Sequence, residues 1–214
     1  MKLNLANKLT IFRIILVPIM AIIPYLNLQG DFLGMPLMYF IMELIFIVAS
    51  ITDKLDGYLA RKNNQVTNFG KFLDPIADKI LVVAAMILFV EMGRLPAWIP
   101  IIVIFREFAV SGYRLIAVQN SGKVIAANVW GKLKTVTQMI AIILMFLTTQ
   151  PYFAFVLRAK TEQDALVNSA LTYMTTGDFI MNILASIFMT ISVIATIFSG
   201  YEYLKGGKDL LKDC

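Results

Sequence analysis

Histidine is absent from the 214 residues, and cysteine occurs once, as Cys214. The first absence removes any imidazole base, ligand or covalent phospho-histidine intermediate and leaves a carboxylate as the candidate general base. The second removes a disulfide framework and a cysteine metal site, and Cys214 does not complete a C-a-a-X box. Charge is scarce as well: 15% of residues are charged against 59% hydrophobic, and the mean hydropathy of +0.76 lies outside the usual range of soluble domains. No internal repeat, low-complexity run or long linker is visible, so the inverted-repeat signature of many transporters is missing.

What is there are long apolar segments. The chain has room for six spans of roughly 20 residues, expected at about 9–28, 36–61, 70–92, 97–119, 126–149 and 179–204, as one domain over residues 1–214. Residues 1–8 are polar and basic and are expected to form a short interfacial segment; the long first run with no small-residue cleavage site after it argues against a cleaved signal peptide. Lys and Arg gather at the N-terminus (Lys2, Lys8, Arg13), the second connection (Arg61, Lys62, Lys71), the fourth (Lys123, Lys132, Lys134) and the tail (Lys205, Lys208, Lys212). The first connection holds only Asp31, the third sets Arg94 against Glu91, and the fifth balances Arg158 and Lys160 with Glu162 and Asp164. This alternation predicts an all-α integral membrane protein of six transmembrane helices with both termini cytoplasmic. The net charge of +5 follows from the same distribution; it also suits anionic membrane lipids, and nucleic-acid binding is not expected.

Four carboxylates, Asp53, Asp56, Asp74 and Asp78, stand where the second and third apolar segments meet their cytoplasmic connection. On helices Asp53 and Asp56 are i and i+3, and Gly70, Asp74 and Asp78 repeat at i+4, so each set shares a face. Gly57 and Ala60 lie one and two turns beyond Asp53 on much the same face, where small residues admit a close approach, and Arg61 follows. Oxygen ligands without His or Cys suit a hard cation such as Mg²⁺, Mn²⁺ or Ca²⁺. Four carboxylates exceed what one divalent ion neutralises, which favours a two-metal site for phosphoryl displacement. The bland alternative is a set of solvated acids paired with Lys54, Lys62, Lys71 and Lys79.

The run Asp53-x-x-Asp56-Gly57-x-x-Ala60-Arg61, followed by Gly70-x-x-x-Asp74-x-x-x-Asp78, resembles the signature of the CDP-alcohol phosphatidyltransferase family with every signature position filled. The resemblance implies a membrane enzyme that joins a CDP-activated lipid to an alcohol and releases CMP. It implies two ions, Mg²⁺ or Mn²⁺, on Asp53, Asp56, Asp74 and Asp78, with Asp78 as the base. It assigns Gly57, Ala60, Arg61 and Gly70 to the CDP-lipid, and it implies a homodimer. Asn7, Thr10 and Arg13 recur at i+3 and are candidates to line the same pocket; capping and interfacial anchoring is the other reading of that row.

The acceptor is read from the remaining cations. Arg106 and Glu107 lie deep in the fourth segment with Arg114 two turns on, and Lys132 and Lys134 begin the fifth, where Gly131, Lys134 or Thr135, and Gln138 form a stripe. Arg106 and Glu107 point about 100° apart on a helix and are not an automatic pair; Glu43 or Glu107 is a candidate structural partner for Arg106. The functional reading is that Arg106, Arg114, Lys132 and Lys134 hold a phosphate on the acceptor, which suggests glycerol 3-phosphate; the family resemblance implies CDP-diacylglycerol as donor. The segments FREFAVSGYR and GKLKT resemble those of the bacterial family members that make phosphatidylglycerophosphate. The rival acceptors are inositol phosphate, serine and phosphatidylglycerol, and the rival classes are a membrane prenyltransferase and a cation transporter.

Overall fold

The computed structural model describes residues 5–32, 34–62, 68–121, 129–153 and 176–206; of these, the side chains of 5, 6, 53–62, 68–75, 78, 114–121, 204 and 206 lie outside the description. Six long helices dominate the described residues: α1 (Leu5–Ile22), α2 (Leu37–Lys62), α3 (Asn68–Glu91), α4 (Trp98–Ser121), α5 (Val129–Leu147) and α6 (Thr176–Gly206). Each expected span has its helix, shifted by a few residues at the ends. Residues 5–8, expected in a separate interfacial segment, are already part of α1.

The connection from α1 to α2 carries structure that the apolar pattern did not announce. A 3₁₀ turn, Ile23–Leu26, ends at Asn27 in the left-handed region (φ 48°). A two-residue strand β1 (Asp31–Phe32) then pairs antiparallel with β2 (Met35–Pro36), Asp31 opposite Pro36. Gly30 and Gly34 flank β1 and precede β2 at φ 111° and 82°, values that residues with a Cβ rarely adopt.

Helix α3 stops in a Schellman turn. Gly93, at φ 68°, donates its N–H to the Val90 carbonyl at 3.0 Å, and Arg94 N–H reaches back to Phe89 O at 2.8 Å, so both orphan carbonyls are capped. Arg94 itself is buried, 3% exposed. Its Nη2 donates to the carbonyls of Met145 and Thr148, at and beyond the last turn of α5, and its guanidinium lies 4.8 Å from the Tyr39 ring centroid. A cation on a helix C-terminus also offsets the negative end of the dipole. Burial pulls this guanidinium down to about 10, so it remains charged at neutral pH. Arg94→Met is expected to destabilise the fold by about 2–3 kcal/mol through the two stranded carbonyls. For a chain of this size that lowers the melting temperature in detergent by roughly 5–10 °C, with substrate KM values below that temperature unchanged.

Contacts at the same end define an up-and-down bundle. Tyr25, beyond α1, donates to Glu91 Oε1 at the end of α3. Tyr152 shares a 2.8 Å hydrogen bond with Thr190, and Asn182 Nδ2 donates to Pro151 O at 2.9 Å, both on the N-terminal half of α6. The ends of α1, α3 and α5 therefore meet the starts of α2, α4 and α6. The end of α2, the start of α3, the end of α4 and the start of α5 lie at the other pole. Towards the Arg94 pole Phe46 of α2, Phe89 of α3 and Phe146 of α5 pack as tilted rings into one apolar cluster, with the Phe89 and Phe146 centroids 4.6 Å apart. Ala185, Ser192, Ala195 and Thr196 bury a small-residue face of α6, which packs along α5.

The outer surface is inverted relative to that of a water-soluble domain. Ile15, Ile51, Ile87, Ile101, Phe105, Val136 and Ile197, drawn from all six helices, are exposed, while Thr10, Arg13, Gln138, Thr196 and Ser199 are buried. Apolar outside and hydrogen-bonded polar inside is what a lipid solvent selects. Among the described residues, Asn7–Leu26, Val129–Leu147 and Thr176–Tyr203 are long and apolar enough to cross a membrane, and Leu37–Thr52 is a shorter apolar helix. The protein is a membrane protein.

Candidate active site

The acidic motif is divided between two helices at one pole. Asp53, Asp56, Gly57, Ala60 and Arg61 occupy the last turns of α2, and Gly70, Asp74 and Asp78 the first turns of α3. The intervening residues 63–67 and the side chains of these acids and of Arg61 lie outside the described residues, as do the side chain of Arg114 in α4 and residues 207–214 with Cys214.

Helix α1 turns a polar row inward beside them. Asn7, Thr10 and Arg13 are 5%, 1% and 0% exposed, and α1 packs on both α2 and α3. An interfacial anchor keeps its polar tip in water or headgroups, so burial this complete does not match that role. Arg13, the most buried of the three, is a charge inside the bundle, and buried arginine is retained where it is bonded and paired.

A second cluster assembles around Glu107 of α4. Its Oε1 accepts from Arg106 Nη1 at 2.7 Å and from Lys134 Nζ of α5 at 2.7 Å. Its Oε2 lies 3.5 Å from Lys79 Nζ of α3. Arg106 also donates from Nη2 to Ser199 Oγ of α6, and its guanidinium sits 5.9 Å from the Tyr203 ring centroid. Lys79 donates to Ser111 Oγ, one turn beyond Glu107. Cations from three helices, α3, α4 and α5, thus converge on one carboxylate, and α6 joins the cluster through Arg106. The two short, charge-assisted hydrogen bonds both fall on Oε1, and Oε2 has the longer ion pair with the partly exposed Lys79.

Of the two partners considered for Arg106, the fold selects Glu107 rather than Glu43. Sequence neighbours diverge at Cβ, but the long arginine stem curls back far enough to close the pair. Along α5 the stripe resolves to Lys134 and Gln138, which are buried, whereas Thr135 is exposed and bonds the Gly131 carbonyl at 3.0 Å. Lys132 is exposed, since a residue two positions from Lys134 falls on nearly the opposite side of the helix. Lys79 had been considered only as a counter-charge to the acids; the signal that finds it is spatial, a side chain crossing from α3 to α4.

An open groove of about 680 Å³ runs between α3 and α4, with Ile80, Val83, Ile87, Ile104 and Phe108 on its walls and Lys79, Glu107 and Ser111 at its polar end. A smaller crevice of about 290 Å³ between α4 and α6 is bordered by Arg106, Tyr113 and Tyr203.

A family model described as CDP-alcohol phosphatidyltransferase matches residues 3–198. The chain belongs to that family. It is accordingly an enzyme, a transferase of the CDP-alcohol phosphatidyltransferase type, and the match runs through all but the last turns of α6. It is 38% identical over 214 residues to the CDP-diacylglycerol–glycerol-3-phosphate 3-phosphatidyltransferase of Bacillus subtilis (strain 168), covering 98% of this chain and 97% of the relative. The similarly named protein of Haemophilus influenzae (strain ATCC 51907 / DSM 11121 / KW20 / Rd) is 38% identical over 217 residues, 100% of this chain and 98% of its own length. That of Rickettsia bellii (strain RML369-C) is 34% identical over 207 residues, 96% of both chains.

Proposed function

We propose that this CDP-alcohol phosphatidyltransferase moves the phosphatidyl group of CDP-diacylglycerol to glycerol 3-phosphate, giving phosphatidylglycerophosphate and CMP as a step of phospholipid synthesis. The names of its full-length relatives support the donor and acceptor. The observation that carries the reading is the contact between Lys79, next to Asp78 in the motif, and Glu107, where Arg106 and Lys134 meet. It ties the cation cluster to α3, the helix in which Gly70, Asp74 and Asp78 lie, which supports transfer between a CDP-lipid and a phosphate-bearing alcohol.

Asp53, Asp56, Asp74 and Asp78 would hold Mg²⁺ or Mn²⁺, two ions in all. The donor chemistry fits, because all four are carboxylates and the chain has no histidine to favour a softer metal. When bound, the ions would supply positive charge to the diphosphate and to the departing CMP. Asp78 accepts the proton of the acceptor hydroxyl as that oxygen forms its bond to phosphorus; the bond from phosphorus to the CMP oxygen breaks and its electron pair leaves with CMP. Asn7, Thr10, Gly57, Ala60, Arg61 and Gly70 bind the CDP-lipid, the small residues by close approach and Arg61 by charge. Arg106, Arg114, Lys132 and Lys134 bind the acceptor phosphate.

All six helices cross the plasma membrane as one domain, with both termini and the acidic pole cytoplasmic, where glycerol 3-phosphate is dissolved, and the enzyme works as a homodimer. The lysine and arginine alternation supports this orientation. Purified protein is expected to release CMP from CDP-diacylglycerol only with glycerol 3-phosphate and Mg²⁺ or Mn²⁺ present. Chelation with EDTA should lower the rate at least about a hundredfold, the equivalent of a few kcal/mol of lost charge stabilisation, and re-addition of metal should restore it. Equal CMP release with serine or inositol phosphate would overturn the acceptor assignment, and full activity in EDTA would overturn the metal assignment.

A further inference from the structure

The Glu107 cluster contains a residue with a task of its own. Helices α3 and α4 follow one another through the Schellman turn at the opposite pole, yet a groove of about 680 Å³ lies between them. Its walls are apolar, and among the described residues the polar ties across it all come from Lys79, to Glu107 Oε2 at 3.5 Å and to Ser111 Oγ. The carboxylate that receives Lys79 on one oxygen receives Arg106 and Lys134 on the other. Lys79 is therefore anchored to the side chain that gathers two cations of the acceptor site, and its own Cα is adjacent to that of Asp78.

Magnitudes separate the two tasks this tie can perform. The lysine side chain is 35% exposed and its contact with Glu107 is long, and such a half-exposed pair contributes little to stability. Position is different: a displacement of about 1 Å between reacting groups costs on the order of a hundredfold in rate. A tie worth about 1 kcal/mol favours the aligned arrangement about fivefold, which a rate reports more sharply than a melting temperature does.

We propose that Lys79 is a positioning residue, which through Glu107 and Ser111 sets the register of α3, and with it Asp78, against the cations of α4 and α5 that hold the acceptor. The inference rests on the reaction proposed above. Lys79 touches neither substrate; it fixes the distance over which the acceptor hydroxyl meets its base. Lysine suits the task because its flexible four-carbon stem spans the groove and ends in three donors, enough for a carboxylate and a hydroxyl together.

The test is a double-mutant cycle in the full-length protein, with Lys79→Met, Glu107→Gln and the pair, reading kcat, the KM of each substrate and the melting temperature. Lys79→Met should lower kcat about fivefold to tenfold, leave the KM for CDP-diacylglycerol unchanged and leave the melting temperature within a few degrees of the wild type. The kcat loss should largely vanish when Glu107→Gln is already present, since coupled residues are not additive. Lys79→Arg, which keeps a donor on a long stem, should recover most of the rate. Wild-type kinetics in Lys79→Met, additive losses in the pair, or a kcat loss that follows a fallen melting temperature and is not recovered by arginine would each overturn the positioning role while the proposed reaction stood. A wild-type protein that released no CMP with glycerol 3-phosphate would overturn both.

Discussion

Asparagine at Asp78 is expected to lower the kcat for CMP release by about a hundredfold to ten-thousandfold, the range that a positioned general base contributes. The chain has no histidine, and the neighbouring carboxylates Asp53, Asp56 and Asp74 are proposed to be occupied by metal, so rescue from a neighbour is not expected. Asp78 is also proposed to hold metal, and the two roles separate by titration. If asparagine merely weakened metal affinity, raising Mn²⁺ would restore the rate; if the base is lost, the rate stays low at saturating metal. Measuring kcat against Mn²⁺ concentration for Asp78→Asn beside Asp53→Asn makes the distinction, because Asp53 carries the metal role alone.

The second large effect belongs to Arg106. Removing one partner of a buried, hydrogen-bonded charge pair costs about 2–5 kcal/mol, so Arg106→Met should raise the KM for glycerol 3-phosphate by roughly thirtyfold or more while the KM for CDP-diacylglycerol holds. Lys134 keeps its 2.7 Å contact with Glu107 in that variant, which leaves the carboxylate paired and protects the fold. Lys134→Met should act in the same direction, and Lys132→Ala, on the exposed side of α5, more weakly. Initial rates across a matrix of both substrates check all three. A matched rise in the KM of both substrates would mean that Arg106 supports the bundle rather than the acceptor.

The six helices were legible because each apolar run ends at residues that break or wet a helix, such as Gly93 to Pro96 between α3 and α4 and the polar stretch before α6. The two-residue strands were not, since two residues carry no periodicity and the hairpin is made by the backbone freedom of Gly30 and Gly34. Arg94 shows the limit of counting charges. It entered the orientation argument as a loop cation, but it is buried against the end of α5, which only the return of the chain 50 residues later supplies. The acidic motif was legible as a pattern because its members are close in sequence and their spacing matches helical turns.

The cation cluster was half legible. Arg106 and Lys134 stood out as charges in apolar sequence, and the opposite faces of Lys132 and Lys134 follow from helical geometry. Glu107 as the common partner did not, because a helical wheel shows where Cβ points and not where a long stem finishes. Lys79 was hidden for a different reason. Its neighbours in sequence are the motif acids, and the partner it takes comes from α4, brought near by the bundle rather than by spacing.

The measurement that bears most directly on this account is the transfer of radiolabelled glycerol 3-phosphate into organic-extractable lipid by the purified protein, with CDP-diacylglycerol and Mn²⁺, and CMP counted in parallel. Label is expected in a lipid bearing a terminal phosphate, with one CMP for each labelled molecule and loss of both signals on omitting the donor or in Asp78→Asn. CMP release without label in lipid, or label incorporated at an undiminished rate by Asp78→Asn, would contradict the proposed reaction.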